Sequence, residues 1–169
     1  VGIMYFDAGP SPDAPRHMAV GVTEDLIFRL SRVEGLSVAS RQDSLILKGR
    51  DLDPQELGRC MGLDLVVTGT VNVSGAAIRA EARASDTATG GVVWTGAFER
   101  PAGEALSIAP ALATGFLGAV GAAAGEGERR LVGAPITADE RAFDFYARGR
   151  NFLTGRGRKN TVAAIRAFE

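Results

Sequence analysis

Few residues in this chain are able to do chemistry, and they are widely spaced. A single Cys (Cys60) and a single His (His17) exclude an internal disulfide, a multi-cysteine zinc site and any site that needs two histidines. A general base needs a partner within hydrogen-bond reach. His17 has only Asp13 and Arg16 beside it in a Pro-rich stretch, so it reads as a surface residue. Cys60, between Arg59 and Met61 in a helical pattern, reads as a small buried hydrophobe rather than a reactive thiolate. Asp7, Glu24, Asp25 and Asp43 are too scattered for a paired-carboxylate or two-metal centre. Gly115, Gly118 and Gly121 recur every third residue, but no strand leads into them and no Lys-Ser/Thr follows. A phosphate loop and a dinucleotide fingerprint are therefore both absent, and close helix packing accounts for these glycines. No catalytic residue, cofactor or metal is expected.

Two cationic clusters remain. Arg41, Ser44, Lys48 and Arg50 surround the apolar Leu45, Ile46 and Leu47. Such a loop can hold a phosphate or the acidic face of a partner; the competing reading is a solvated loop whose apolar residues cover a sheet edge. Arg148, Arg150, Arg156, Arg158 and Lys159 crowd residues 148–159 around Phe152, a pattern that also suits stacked bases. Helical spacing turns Arg148 and Arg156 away from Phe145 and Phe152, which favours a solvated helix surface. Lys and Arg total 19 against 20 Asp and Glu, a net charge of −1. That balance argues against nucleic acid as a partner.

The elements that must position these residues follow from periodicity. Residues 2–6 form an apolar run before the turn-rich stretch at 7–12, and read as a buried strand. Val20, Val22, Leu26, Ile27, Leu30 and Val33 recur at helical spacing, with Thr23 as a candidate N-cap and Gly35 as the stop. Residues 36–39 read as a second strand and 40–53 as a polar loop. Asp53 and Pro54 open a short helix that Gly62 ends. Residues 65–71 are β-branched and nearly continuous, as in a central strand covered on both faces. Residues 76–84 alternate like an edge strand with one wet face, and 92–98 return after the turn at 86–91. Trp94 is expected to lie buried under the helical layer. Residues 105–125 carry no charge, long enough to raise a membrane span. Ile108, Leu112, Phe116 and Val120 make one stripe, however, which predicts a helix packed on a sheet.

The order β-α-β-α-β-β-β-α predicts an α/β (α+β) domain over 1–125 with a mixed sheet of about five strands. Residues 126–137 read as a flexible linker, and 138–169 as a helical hairpin. Thr137 and Glu140 have the spacing of a capping box. Phe143, Phe145, Tyr146, Gly149, Phe152 and Leu153 mark one helix, Gly155 and Gly157 break it, and 161–168 start another.

Residues 2–120 resemble the TolB amino-terminal-like domain, related to the FlgO-like domains. The resemblance rests on Gly21 with Asp25, the run 30–35, Arg41 with Ser44, Lys48-Gly49, Gly58 with Gly62, Gly69-Thr70-Val71, Arg79, and 86–94. The family often has Pro where Tyr5 stands and Glu where Thr68 stands. Residues 138–169 resemble the start of a tetratricopeptide array, with Phe145, Gly149 and Phe152 in its first helix and Ala164 and Phe168 in its second. The spacing between the two sets is a few residues longer than the usual repeat.

Such domains lie between a signalling module and tetratricopeptide repeats in bacterial proteins. The resemblance implies a non-catalytic regulatory or interaction module in the cytoplasm, with membrane association of the parent chain left open. The parent would be a class III adenylate or guanylate cyclase, or a winged-helix transcription regulator. Val1 already lies inside an apolar run and no basic region precedes a hydrophobic one, so the chain reads as a segment of a longer protein. The expected partners are a protein or peptide at the repeats, contacted by Phe143, Tyr146, Phe152 and Phe168, and a second copy of the segment. Neither nucleic acid binding nor membrane insertion is expected.

Overall fold

A computed structural model describes residues 1–9, 16–50, 52–122, 124–155 and 157–169. Asp13, the turn-rich residues 10–12 and Arg156 lie outside the described residues. The fold is mixed α/β: one five-stranded sheet with helices laid across one face and a helical pair beyond them. Strands β3 (Leu65–Ser74), β4 (Ala77–Asp86) and β5 (Val92–Pro101) form an antiparallel meander. The two-residue strands β1 (Gly2–Ile3) and β2 (Asp7–Ala8) both run parallel to β3, with Gly2 opposite Val66 and Asp7 opposite Thr70. The single strand expected over 2–6 is thus split. Its ladder breaks because the Phe6 N–H donates to Thr23 Oγ1 (3.0 Å) on the helix above.

β4 alternates as expected, with Ile78, Ala80, Ala82 and Ala84 buried and Arg79, Glu81 and Arg83 facing out. It is an interior strand, however, and β5 is the edge. β3 is central, but helices reach both of its faces only near its start. Val67 packs into the main core, while Val66 joins Met4 and Leu57 under α3 (Pro54–Met61). From Thr68 to Thr70 the strand is only half-buried. Residues 36–39 form no strand. Ala39 N donates to Val1 O, and then Ser40 caps α2 (Arg41–Ile46) in a reciprocal box with Asp43. The expected loop over 40–53 therefore contains a helix.

α1 (Arg16–Leu30) lies across the sheet and is buried along most of its length. Thr23 is interior to α1 rather than its cap: its hydroxyl donates to Ala19 O and accepts from Phe6. α4 (Ile108–Ala119) follows a 3-10 turn (Ala102–Ser107) and buries Ile108, Leu112 and Phe116. Among the described residues, Ala102–Ala119 is the one helical stretch long and apolar enough to cross a membrane, and half of it is buried in this fold. Trp94 is half-buried, edge-on to Phe116 with ring centroids 5.8 Å apart. Gly115 lies against that indole, whereas a side chain at Gly118 would meet nothing.

Part of the expected linker is helical. α5 (Glu126–Gly133) is capped by Glu128, whose carboxylate accepts from Gly125 N and Glu34 N, and Val132 is buried. α6 (Glu140–Thr154) is capped by Asp139 rather than by a Thr137–Glu140 box. Thr137 accepts from Asp139 N, and Glu140 turns back to accept from Leu106 N. α7 (Arg158–Phe168) folds against α6, its Phe168 ring seated over Gly149. A Cβ on Gly149 would meet that ring at 2.3 Å, so only glycine admits the contact. Cys60 is exposed, because α3 turns Leu57 and Gly58 to the sheet and carries Cys60 on its far side.

Candidate functional site

Charged side chains inside a helix that is buried nearly all round must find partners. α1 carries two such residues, and both gather their partners from distant parts of the chain. Glu24 is 4% exposed and Asp25 2%.

Glu24 accepts a hydrogen bond from the Tyr5 hydroxyl (2.7 Å) on the segment between β1 and β2. Arg41, the first residue of α2, reaches the same oxygen at 3.4 Å. The second carboxylate oxygen receives the Arg150 guanidinium from α6. Lys48, just beyond α2, lays its ammonium 4.9 Å from the Tyr5 ring centre. Burial pushes the Glu24 carboxyl upward, while the Tyr5 hydroxyl and the charges of Arg41 and Lys48 pull it back. Burial also pushes the Tyr5 hydroxyl well above its ordinary value, and the adjacent Glu24 charge adds to this. One carboxylate therefore joins the β1–β2 segment, α2 and α6.

Asp25 faces the other way. The Arg29 guanidinium, one turn on, donates to its carboxylate at 3.0 Å and also to Val132 O on α5 (2.6 Å). Both side chains are almost wholly buried. Near the start of α1, His17 Nε2 lies 2.8 Å from Asp144 on α6, and Arg148 contacts the other Asp144 oxygen. His17 is thus paired rather than free on the surface. Between these polar ties, Gly21 lies flat against Ala147 and Phe143. The contacts of His17, Gly21 and Glu24 with Asp144, Ala147 and Arg150 ascend together, so α1 and α6 run parallel along this seam.

The four residues of the predicted cationic loop divide. Arg41 and Lys48 converge on the Glu24–Tyr5 pair. Ser44 is fully buried and its hydroxyl has no hydrogen-bond partner among the described residues. Arg50 is exposed and stays apart. The anion that Arg41 meets is the chain's own Glu24. Of the predicted contact face, Phe143 is 1% exposed in the core and cannot meet a partner. Tyr146 lies half-buried between Phe143 and Phe168, whereas Phe152 and Phe168 are exposed. Arg150, read as part of a solvated surface, is instead the ion-pair partner of Glu24. These pairings were accessible from one sequence signal: Glu24 and Asp25 interrupt an otherwise apolar helical run, and such charges need counterions. The sequence held no clue to which cations would answer.

The Glu24 cluster holds a carboxyl group beside a phenol, as a general acid–base site does, but the carboxylate itself is buried. The carboxylate oxygens are held by Tyr5, Arg41 and Arg150. A cavity of about 670 Å³ opens beside Lys48 at the α6–α7 junction, lined by Asp7, Arg16, Asn151 and Thr154 among others. Among the described residues there is no cluster of three metal-ligating side chains.

No protein-family model matches the chain. A Rhizobium meliloti (strain 1021) protein named "Putative adenylate cyclase 3" is 30% identical over 155 residues, which is 90% of this chain. The match covers 26% of that protein, so the chain spans about a quarter of its length. TolB from Acinetobacter baumannii superposes with a TM-score of 0.53 at 12% identity, over 74% of this chain and 29% of TolB. That likeness is one of fold, and it agrees with the TolB-like reading of the first 120 residues. Lipoprotein GNA1162 from Neisseria meningitidis gives a TM-score of 0.49 at 21% identity, over 59% of this chain and 78% of that one.

Proposed function

We propose that this chain is a non-catalytic regulatory unit of a larger nucleotide-cyclase protein, in which the α6–α7 hairpin begins a tetratricopeptide array and reports to the TolB-like sheet. The observation that carries this reading is the ion pair of the buried Glu24 with the half-buried Arg150. It fastens the hairpin to α1, and α1 lies directly on the sheet, so a partner that shifts the hairpin also strains the α/β unit. The cyclase context is supported by the identity with the rhizobial protein over nearly the whole of this chain. The non-catalytic role is supported by the Glu24 carboxylate being buried and already bonded to Tyr5, Arg41 and Arg150. In this reading the unit works in the cytoplasm, where a cyclase meets ATP.

The test uses the full-length protein that carries this segment. Arg150→Met should change its cyclase rate severalfold, within the ordinary range of coupling between sites, and leave the isolated chain without magnesium-ATP turnover. A rate that stays constant while amide exchange shows the hairpin released from α1 would refute the coupling. Turnover by the isolated chain, abolished by a substitution within it, would refute the non-catalytic role.

A further inference from the structure

Among the described residues, nothing pairs with the outer side of β5. The direction of its backbone groups follows from the ladder. Ala102 N donates to Ala76 O (2.7 Å), and bonded and non-bonded pairs alternate along antiparallel strands. In the observed register Trp94, Gly96, Phe98 and Arg100 therefore bond to β4, while Thr95, Ala97 and Glu99 turn their N–H and C=O groups outward. The bonds from Met4 N to Val67 O and from Gly9 N to Val71 O, across the sheet, give the same alternation. The side chains of Thr95, Ala97 and Glu99 are exposed. Proteins blunt such edges with Lys, Pro or a bulge. Here a bulge stands at one end, where Ser85 faces Val92 and Ala84 faces Trp94, and Pro101 stands at the other. The stretch between them, 94–100, carries neither Lys nor Pro.

We propose that this stretch pairs antiparallel with the same stretch of a second copy, so that two sheets become one. Self-complementarity selects this occupant. With a two-fold axis at Gly96, Thr95 stands opposite the partner's Ala97, and the outward N–H and C=O groups of each copy meet their complements. Trp94 then stands opposite the partner's Phe98, and the same pair recurs across the axis. Both rings are half-buried and flank Gly96 so closely that a Cβ there would lie 2.4 Å from the indole. Aromatic cross-strand pairs stabilise sheets. Glu99 meets the partner's Val93 rather than a second Glu99, so no like charges face each other. The exposed residues of α4, which packs on β5, are Thr114, Gly118 and Ala119. They are small and uncharged, and neither hold off nor repel a second α4. Neither end of the chain adjoins this edge: β1 lies at the opposite side of the sheet, and α7 packs on α6, which packs on α1. The pairing is independent of how the hairpin acts.

Analytical ultracentrifugation of the intact chain at concentrations up to about 100 µM, enough to populate even a weak dimer, tests this. The expected mass is twice that of one chain. The Thr95, Ala97 and Glu99 amides should exchange slowly in the dimer and fast on dilution. Those of Trp94, Gly96 and Phe98, bonded to β4, should stay slow throughout. Thr95→Lys with Ala97→Lys sets Lys opposite Lys across the axis and should leave the chain monomeric, with circular dichroism unchanged. Thr95→Glu with Ala97→Glu should do the same. Mixing the two variants should restore a dimer at least about tenfold tighter than either forms alone. A chain that is monomeric at every concentration, or a dimer whose Thr95, Ala97 and Glu99 amides exchange fast, would overturn the proposal. So would charged variants that dimerise alone or stay apart when mixed. A dimer that survives both charged variants and is lost with Val162→Asp on α7 would replace it with pairing through the hairpin.

Discussion

Gly21 on α1 and Ala147 on α6 stand so close that a Cβ added to Gly21 would lie 2.7 Å from the Cβ of Ala147. The two helices meet almost backbone to backbone here, which brings Glu24 within reach of Arg150. A branched side chain at Gly21 has nowhere to go. Gly21→Val should destabilise the chain by about 1–3 kcal/mol, as overpacking does. It should also speed amide exchange in α6 and α7 while leaving β3, β4 and β5 protected. Unchanged exchange in α6 would mean that the seam is not what holds the hairpin.

Arg29 is the buried cation that ties α5 to α1. Removing it leaves Asp25 without its counterion, so Arg29→Met should cost about 3–5 kcal/mol in denaturant titration. Replacing both residues with apolar ones of similar volume removes the unpaired charge as well as the bond. The pair Asp25→Leu and Arg29→Met should therefore be less destabilising than Arg29→Met alone. A double variant worse than the single would show that an unpaired Asp25 is not what makes Arg29→Met costly.

Alkaline titration should reveal the two tyrosines of the Glu24 cluster. Burial, then the Glu24 charge, raises both hydroxyls above the ordinary value of 10.0, Tyr146 to about 12. A folded-state pKa above the unfolded value contributes stability that is present below pH 10 and lost as pH climbs through the folded value. Stability should fall from about pH 10 towards 12, and tyrosinate absorbance should appear together with unfolding. Tyr5→Phe should make the decline shallower. Free titration of both tyrosines near pH 10 in the folded chain would contradict the burial described.

Trp94 is the chain's single tryptophan and reports directly on the contact between β5 and α4. It is half-buried rather than enclosed, so Trp94→Ala should cost about 2–3 kcal/mol, below the range for a fully buried aromatic. Gly115→Val should push the indole outward and shift its emission to the red. A loss under about 1 kcal/mol would mean that the edge-on packing with Phe116 carries little weight.

What could be read from the residues alone was whatever a local period or cap encodes. The alternation from Ile78 to Ala84, the Asp53–Pro54 start and Gly62 stop of α3, and the stripe on α4 all appear where their spacing puts them. The misreadings have tertiary causes. β4 looks like an edge because one face is wet, yet facing and position in the sheet are independent. Thr23 was a plausible cap until Phe6 took its hydroxyl. α2 hid in a polar stretch because its capping box uses Asp43 where Glu is the usual signal. The Glu24 site was least legible of all, since Tyr5, Arg41 and Arg150 approach it from separations of 19, 17 and 126 residues.

The parallel pairing of β1 and β2 with β3 sets an order of events during synthesis. Gly2 and Ile3 must wait for Val66 and Val67 to leave the ribosome before their ladder can close. β3, β4 and β5, by contrast, are neighbours in sequence and close through short turns, and local pairing is fast where distant pairing is slow. Glu24 then lacks its Arg150 partner until α6 emerges, and Arg29 lacks its Val132 acceptor until α5 does. The meander is thus the natural nucleus, and α1 is an early-made, late-docked helix.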